Sequence, residues 1–236
     1  MSGDHGLADD AWAAIDRIPG WLTRDQAEVL AGAARALRPG CTVVEIGSHH
    51  GRSAAVLAGA LPEGGRLVAV DPFPEDWRYG GRDTQQRLVD NLVALGVAQR
   101  VDVRAATSAE ALATWEDRVD LVYVDGKHDV ASAAGDLGWG RFVPPGGTVL
   151  LHDAFSSLGV TLAVLVRVLP SRDLRYVSRT GSLAVLQRGR PSLRDRARVL
   201  AELPWFVRNL VVKVLLRLRL RGPARLLGHH DVADPY

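Results

Sequence analysis

The sequence predicts an α/β fold, a mostly parallel sheet covered on both faces by helices, and two observations carry that prediction. From residue 41 onward, short β-branched runs at about 42–46, 66–70, 101–104, 119–124 and 147–151 alternate with helical stretches. Strands separated by helices pair in parallel, because each crossover returns the chain to the same end of the sheet. The second observation is size: 236 residues at 47% hydrophobic content suffice for one substantial core.

The elements follow in order. Segments 9–17 and 23–37 read as helices, the second opened by Thr23 as N-cap and closed by Pro39-Gly40, so residues 1–40 form an N-terminal helical segment. Residues 41–189 form the sheet domain. Two further runs, 174–178 and 182–187, are joined by Arg179-Thr180-Gly181, a connection suited to a hairpin; they add an antiparallel edge and bring the sheet to seven strands. The clearest boundary falls at Gly189-Arg190-Pro191. Beyond it, residues 190–236 read as a helical tail in which Ser192 and Asp195 form a capping box. No internal repeat or low-complexity segment interrupts this order.

Charge is divided unevenly. Residues 1–189 carry 19 basic and 23 acidic side chains, whereas 190–236 carry 10 and 4, so a body near −4 bears a tail near +6. The acidic body excludes nucleic-acid binding as the main role; the tail suits anionic lipid or an acidic partner. The single Cys41 forms no internal disulfide, and neither a signal-like stretch nor a membrane-spanning run is present, so the expected location is cytoplasmic, with the inner face of the membrane within reach of the tail.

The strand at 42–46 runs into Gly47-Ser48-His49-His50-Gly51, and a helix starts near Arg52. Glycines at 47 and 51 remove Cβ atoms where the backbone turns sharply and a ligand approaches. The spacing is not that of a dinucleotide fingerprint, which needs three glycines. Glu45-x-Gly47-x-x-x-Gly51 resembles the first motif of class I S-adenosylmethionine-dependent methyltransferases, which implies a Rossmann-like fold. It also implies that Glu45 organises the loop around the cationic methionine end, a favourable charge pairing. Gly47, Ser48, Gly51 and Ser53 fall on the loop and first helical turn that would contact the cofactor. Asp71, ending the next strand, takes the position whose acidic residue bonds the ribose hydroxyls. Ser108, after the third strand, is assigned to the adenine end, with helix capping as the alternative.

The fourth strand ends in Asp125-Gly126-Lys127-His128 and the fifth in Leu151-His152-Asp153, so Asp125, His128, His152 and Asp153 should converge beside the reactive end of the cofactor. With Gly20-Trp21-Leu22 and the Glu45 motif, these residues resemble the family that includes macrolide-sugar (macrocin-type) O-methyltransferases, over roughly residues 18–188. The resemblance implies Asp125 and Asp153 as Mg²⁺ ligands, His128 as general base, Asp125 in contact with the cofactor, a carbohydrate hydroxyl or other small-molecule acceptor, and a homo-oligomer. Such an acceptor must lose its proton as it attacks, a task matched by an imidazole and helped by a metal. One departure stands out: Ala154 follows Asp153, where several metal-dependent relatives place a second liganding Asp or Asn. Three readings stay open, namely carbohydrate O-methylation, O-methylation of a phenol or other metabolite, and a non-catalytic cofactor-binding module.

Two features remain. Residues 72–82, with Trp77, Tyr79 and Arg82, read as a substrate lid or simply as a packed loop. The tail run 203–221, ending at Gly222-Pro223, resembles an interfacial helix, but its basic face is not clean: Arg208 and Arg219 fall on one side, Lys213, Arg217 and Arg221 on the other. Docking onto the body or a partner subunit is the equal alternative.

Overall fold

The computed structural model describes residues 7–74 and 83–228. Two helices precede the sheet, α1 (Asp9–Asp16) and α2 (Arg24–Arg35). Thr23 caps α2 in a reciprocal capping box with Gln26, and the helix buries Ala27, Leu30, Ala31 and Ala34, an i, i+3, i+4, i+7 stripe. The sheet comprises β1 (Thr42–Ile46), β2 (Arg66–Asp71), β3 (Val101–Ala105), β4 (Leu121–Val124), β5 (Thr148–Leu151), β6 (Leu174–Thr180) and β7 (Leu183–Arg188). Its order is β3-β2-β1-β4-β5-β7-β6. Strands β1 to β5 pair in parallel; β7 runs antiparallel to both β5 and β6, the edge expected from the hairpin.

Adjacent residues of the central strands feed opposite faces. Val43, Leu67, Leu121, Tyr123 and Leu150 pack on one side, together with α2 and α3 (Arg52–Ala60). Val44, Val68, Val122, Val149 and Leu151 pack on the other, with α6 (Val130–Asp136) and α7 (Leu158–Ala163). Both faces are covered, which is why these strands read as continuous apolar runs. The remaining helices of the body are α4 (Thr84–Ala94) and α5 (Ser108–Ala113).

The tail folds into α8 (Leu193–Ala201), α9 (Leu203–Arg217) and α10 (Arg221–Leu226). It is docked on the body: Val199 lies in the core, and Trp205 and Phe206 pack against it. Glu202 accepts from Tyr176 Oη at 2.8 Å and Arg179 Nε at 2.6 Å, while the Arg179 guanidinium sits 3.8 Å from the centre of the Trp205 ring. The run expected to continue to residue 221 breaks after Arg217, where Arg219 adopts a positive φ of 61°. Gly222 and Pro223 fall inside the first turn of α10, where proline is tolerated because its missing N–H has no helical partner there. Among the described residues, no helix is long and apolar enough to cross a membrane.

From β1 the chain winds outward through β2 to β3, then returns to the other side of β1 as β4. A crevice therefore opens between the C-terminal ends of β1 and β4, the place where ligands bind in open α/β sheets.

Candidate active site at the switch between β1 and β4

Two loops meet in that crevice, and glycine permits the contact. At Gly47, with φ of 86°, a Cβ would lie 2.1 Å from the carbonyl oxygen of Asp125, so any side chain would force the two loops apart. Gly51, also at φ of 86°, forms the left-handed N-cap of α3. Glu45 is fully buried. Its Oε2 accepts from Ser48 Oγ at 2.7 Å, and the nearby Ser53 hydroxyl also favours the charged form. Its Oε1 has no partner. Burial pushes the carboxyl up to about 7, against the opposing effect of the two serine hydroxyls. At the end of β2, Asp71 accepts from the backbone N–H of His49 at 2.9 Å and of Phe73 at 2.8 Å, tying the glycine loop to the neighbouring strand.

On the β4 and β5 side, one oxygen of each acid faces inward. Asp125 Oδ2 accepts from Tyr123 Oη at 3.2 Å, leaving Oδ1 toward His152 Nδ1 at 3.3 Å and His128 Nε2 at 3.6 Å. Asp153 Oδ1 accepts from Ser156 Oγ at 2.9 Å, leaving Oδ2 toward His128 Nε2 at 3.2 Å and His152 Nδ1 at 3.6 Å. Asp153 itself has a left-handed φ of 55°, a conformation tolerated by Asp more than by most residues. The following turn aims its carboxylate back at the crevice.

The ring state of His152 follows from its neighbours. Gln26 Oε1 must be an acceptor, since it takes the backbone N–H of Thr23 at 3.0 Å while the amide nitrogen donates to Ser182 Oγ at 3.1 Å. His152 Nε2 lies 3.2 Å from that same oxygen and so carries a proton. In the neutral ring the lone pair then sits on Nδ1, a buried atom with no hydrogen-bond partner. Asp125 Oδ1, Asp153 Oδ2 and His152 Nδ1 bring three donor groups together, with donor atoms within 4.8 Å of one another. Tyr123, Ser156 and Gln26 each orient one of them from behind, the outer layer a metal site needs.

Electrostatics agree with the geometry. Burial alone would suppress the charges on His152 and on both acids. For His152, however, Asp125 and Asp153 outweigh burial and raise its pKa well above the ordinary imidazole value. The carboxyl of Asp125 is correspondingly held far below the usual range, chiefly by His152 and His128 against burial, and that of Asp153 is lowered in the same way. His128, half exposed, is raised against burial by the neighbouring carboxylates of Asp125 and Asp153. The cluster thus demands positive charge between the two acids, which a proton on Nδ1 or a divalent cation in its place can supply. At the glycine loop, the buried Oε1 of Glu45 is likewise left without a partner.

The family model for a methyltransferase domain matches residues 44–154, the stretch from β1 to the turn after β5. This part of the chain matches a methyltransferase domain. The methyltransferase is similar to several solved structures. The O-methyltransferase TomG from Streptomyces achromogenes, involved in tomaymycin synthesis and solved with S-adenosylmethionine, superposes with a TM-score of 0.59 at 19% identity, covering 80% of this chain and 93% of that one. An O-methyltransferase from Bacillus cereus, in complex with S-adenosylhomocysteine, gives 0.60 at 15% identity over 77% and 92%. A methyltransferase from Geobacter sulfurreducens gives 0.58 at 20% identity over 80% and 92%. At such identities the likeness establishes the fold of the methyltransferase.

The structure brings together Glu45, Gly47, Ser48, Gly51, Ser53 and Asp71 around one loop, and Asp125, His128 and Asp153 beside it. Ser108 opens α5; its hydroxyl accepts from Trp139 Nε1 at 3.0 Å, and the cap of that helix is its neighbour Thr107. His49 and His50 stack at 3.8 Å and help shape the glycine loop, with Asn91 holding the carbonyl of His50. Ala154 is buried and offers no ligand, but His152, on the other side of Asp153, supplies a third donor. Trp77, Tyr79 and Arg82 lie outside the described residues, as does most of the proposed lid. Sequence reasoning missed the part played by Gln26, whose only outward sign is its place as third residue of a capping box.

Proposed function

We propose that the protein transfers the methyl group of S-adenosylmethionine to a hydroxyl oxygen, most specifically of a carbohydrate, with His128 as general base and Asp125, His152 and Asp153 holding a divalent cation. The observation that carries this reading is the placement of His128 Nε2, 3.2 Å from Asp153 and 3.6 Å from Asp125, at the rim of a three-donor cluster that abuts the Gly47 loop. Oxygen as the acceptor atom is supported by the same base-and-acid set and by the O-methyltransferases among the solved structures of similar fold.

Glu45 would face the methionine end, Asp71 the ribose, and Ser48 and Ser53 would keep the Glu45 carboxyl in place. When bound, the cofactor supplies a methyl group on a positively charged sulfur, and the cation lowers the pKa of an acceptor hydroxyl. Mg²⁺ follows from the family resemblance; the imidazole nitrogen extends the set to borderline ions such as Mn²⁺. His128 takes the acceptor proton on Nε2. With positive charge supplied between the acids, Asp125 and Asp153 raise the imidazole less, leaving it free to accept that proton. The buried Cys41, without a disulfide partner, accords with the cytoplasmic reading.

A second reading, a phenol or other small metabolite as acceptor, draws support from TomG and its role in tomaymycin synthesis. Methyl-transfer assays across sugar and phenol panels, with and without Mg²⁺ or Mn²⁺, separate the two. His128→Ala should lower turnover by about 10²- to 10⁴-fold with cofactor binding preserved. Unchanged turnover would remove His128 as the base, and absence of transfer to every acceptor would leave a cofactor-binding module.

A further inference from the structure

Helix α9 buries Val212 against the body yet leaves a second apolar stripe in solvent. Val207, Leu210, Val211, Val214 and Leu218 recur at i, i+3, i+4, i+7 and i+11, along one side of the helix and its C-cap, and each is between 41% and 63% exposed. The polar residues point the other way. Asn209 is buried and donates from Nδ2 to the carbonyl of Phe155 at 3.5 Å; Lys213 donates from Nζ to the carbonyl of Ser156 at 2.9 Å. Arg208 donates from Nε to the carbonyl of Leu227 at 2.9 Å, closing α10 back onto α9. A helix docked on a protein core ordinarily turns its apolar stripe inward. Here much of that stripe faces solvent, and hydrogen bonds as well as the Trp205 and Phe206 contacts hold the other side down.

The same contacts sort the basic residues. Arg208 and Lys213 are anchors, while Arg217, Arg219, Arg221 and Arg225 are exposed at the C-terminal end of the stripe, and no carboxylate among the described residues pairs with them. The basic face that is irregular on a helical wheel thus divides into Arg208, turned to α10, Lys213, turned to the body, and an outward cluster.

We propose that this face of α9, with the arginines that follow it, docks in the interfacial plane of an anionic phospholipid surface. Charge selects the occupant. The stripe suits the acyl boundary and the arginine cluster suits phosphate headgroups, the combination that holds interfacial helices on membranes. A second copy of the chain would instead bring two tails of net charge near +6 together. Asn209 and Lys213, on the opposite side of α9, grip the turn that immediately follows Asp153, so the helix is tied to a loop of the candidate active site. The membrane contact does not depend on the function proposed above.

The test is co-sedimentation of the full chain with vesicles of phosphatidylcholine alone and of an equal mixture of phosphatidylglycerol and phosphatidylcholine. The expected result is at least tenfold stronger partition onto the anionic vesicles, weakened at least tenfold in the triple variant Val207→Ser, Leu210→Ser, Val214→Ser and weakened by added salt. Circular dichroism and S-adenosylmethionine binding of the triple variant should match wild type, which separates loss of docking from loss of fold or of the cofactor site. Failure to bind either vesicle, equal binding to both, or undiminished binding of the triple variant each overturns the proposal. A dimer in analytical ultracentrifugation that the triple variant abolishes, with no vesicle binding, would assign the face to a second copy.

Discussion

Cofactor binding should titrate with Glu45. The perturbation is pH, applied to wild type and to Glu45→Gln. In the free protein the carboxyl, buried with Oε1 unpartnered, has its pKa pushed up to about 7, so at about pH 6 only roughly one molecule in eleven carries the carboxylate that a cationic ligand needs. Binding must then displace a proton, and affinity for S-adenosylmethionine should rise about tenfold between about pH 6 and about pH 8, roughly 1.4 kcal/mol. Stability should move in the opposite sense. The carboxyl is raised from 4.5 to about 7 by folding, so the native state holds the extra proton in that window. The associated stability is complete below about pH 4.5 and falls away by about pH 7, a loss of about 3 kcal/mol. Isothermal calorimetry in buffers of different ionisation enthalpy reads the displaced proton, and urea unfolding reads the stability. Glu45→Gln should bind more weakly, with the pH dependence reduced to the titration of the ligand itself, and should lose the sloping stability. Equal pH slopes in the two proteins would refute the assignment of the cationic end of the ligand to Glu45.

Other perturbations test the supporting contacts. Gln26→Leu strips partners from Thr23, Ser182 and His152 together, and should cost at least about 2 kcal/mol in urea unfolding and weaken Mn²⁺ binding by about 10- to 100-fold by calorimetry. At Gly159 an added Cβ would lie 2.1 Å from the carbonyl oxygen of His128, so Gly159→Ala should displace that loop and reduce methyl transfer at least about tenfold while S-adenosylmethionine affinity holds; unchanged turnover would show that the loop position does not matter. Glu202→Ala removes the acceptor shared by Tyr176 and Arg179 and should destabilise the docked tail by about 1–3 kcal/mol, measured by chemical unfolding, with cofactor affinity unaffected.

What could be read from the chain, and what could not, divides along sequence distance. The strands announced themselves because each central one feeds two covered faces, and the Glu45, Gly47 and Gly51 motif because its parts sit within one strand-to-helix turn. Asp125, His128, His152 and Asp153 were visible as strand-end residues, since parallel strands deliver their C-terminal loops to one edge. Their roles were not, because a role depends on a partner. His152 looks like a neighbour of Asp153 until Gln26, 126 residues earlier, fixes which nitrogen holds the proton and leaves the other open between two carboxylates. The tail was obscured for the same reason: Arg208 and Lys213 count toward a basic helix face in sequence, and only their hydrogen bonds to Leu227 and Ser156 show that one is turned to α10 and the other to the body. Local spacing specifies which side chains arrive at the crevice. Which of them is charged, and which atom stays bare for a ligand, is specified by contacts made across the whole chain.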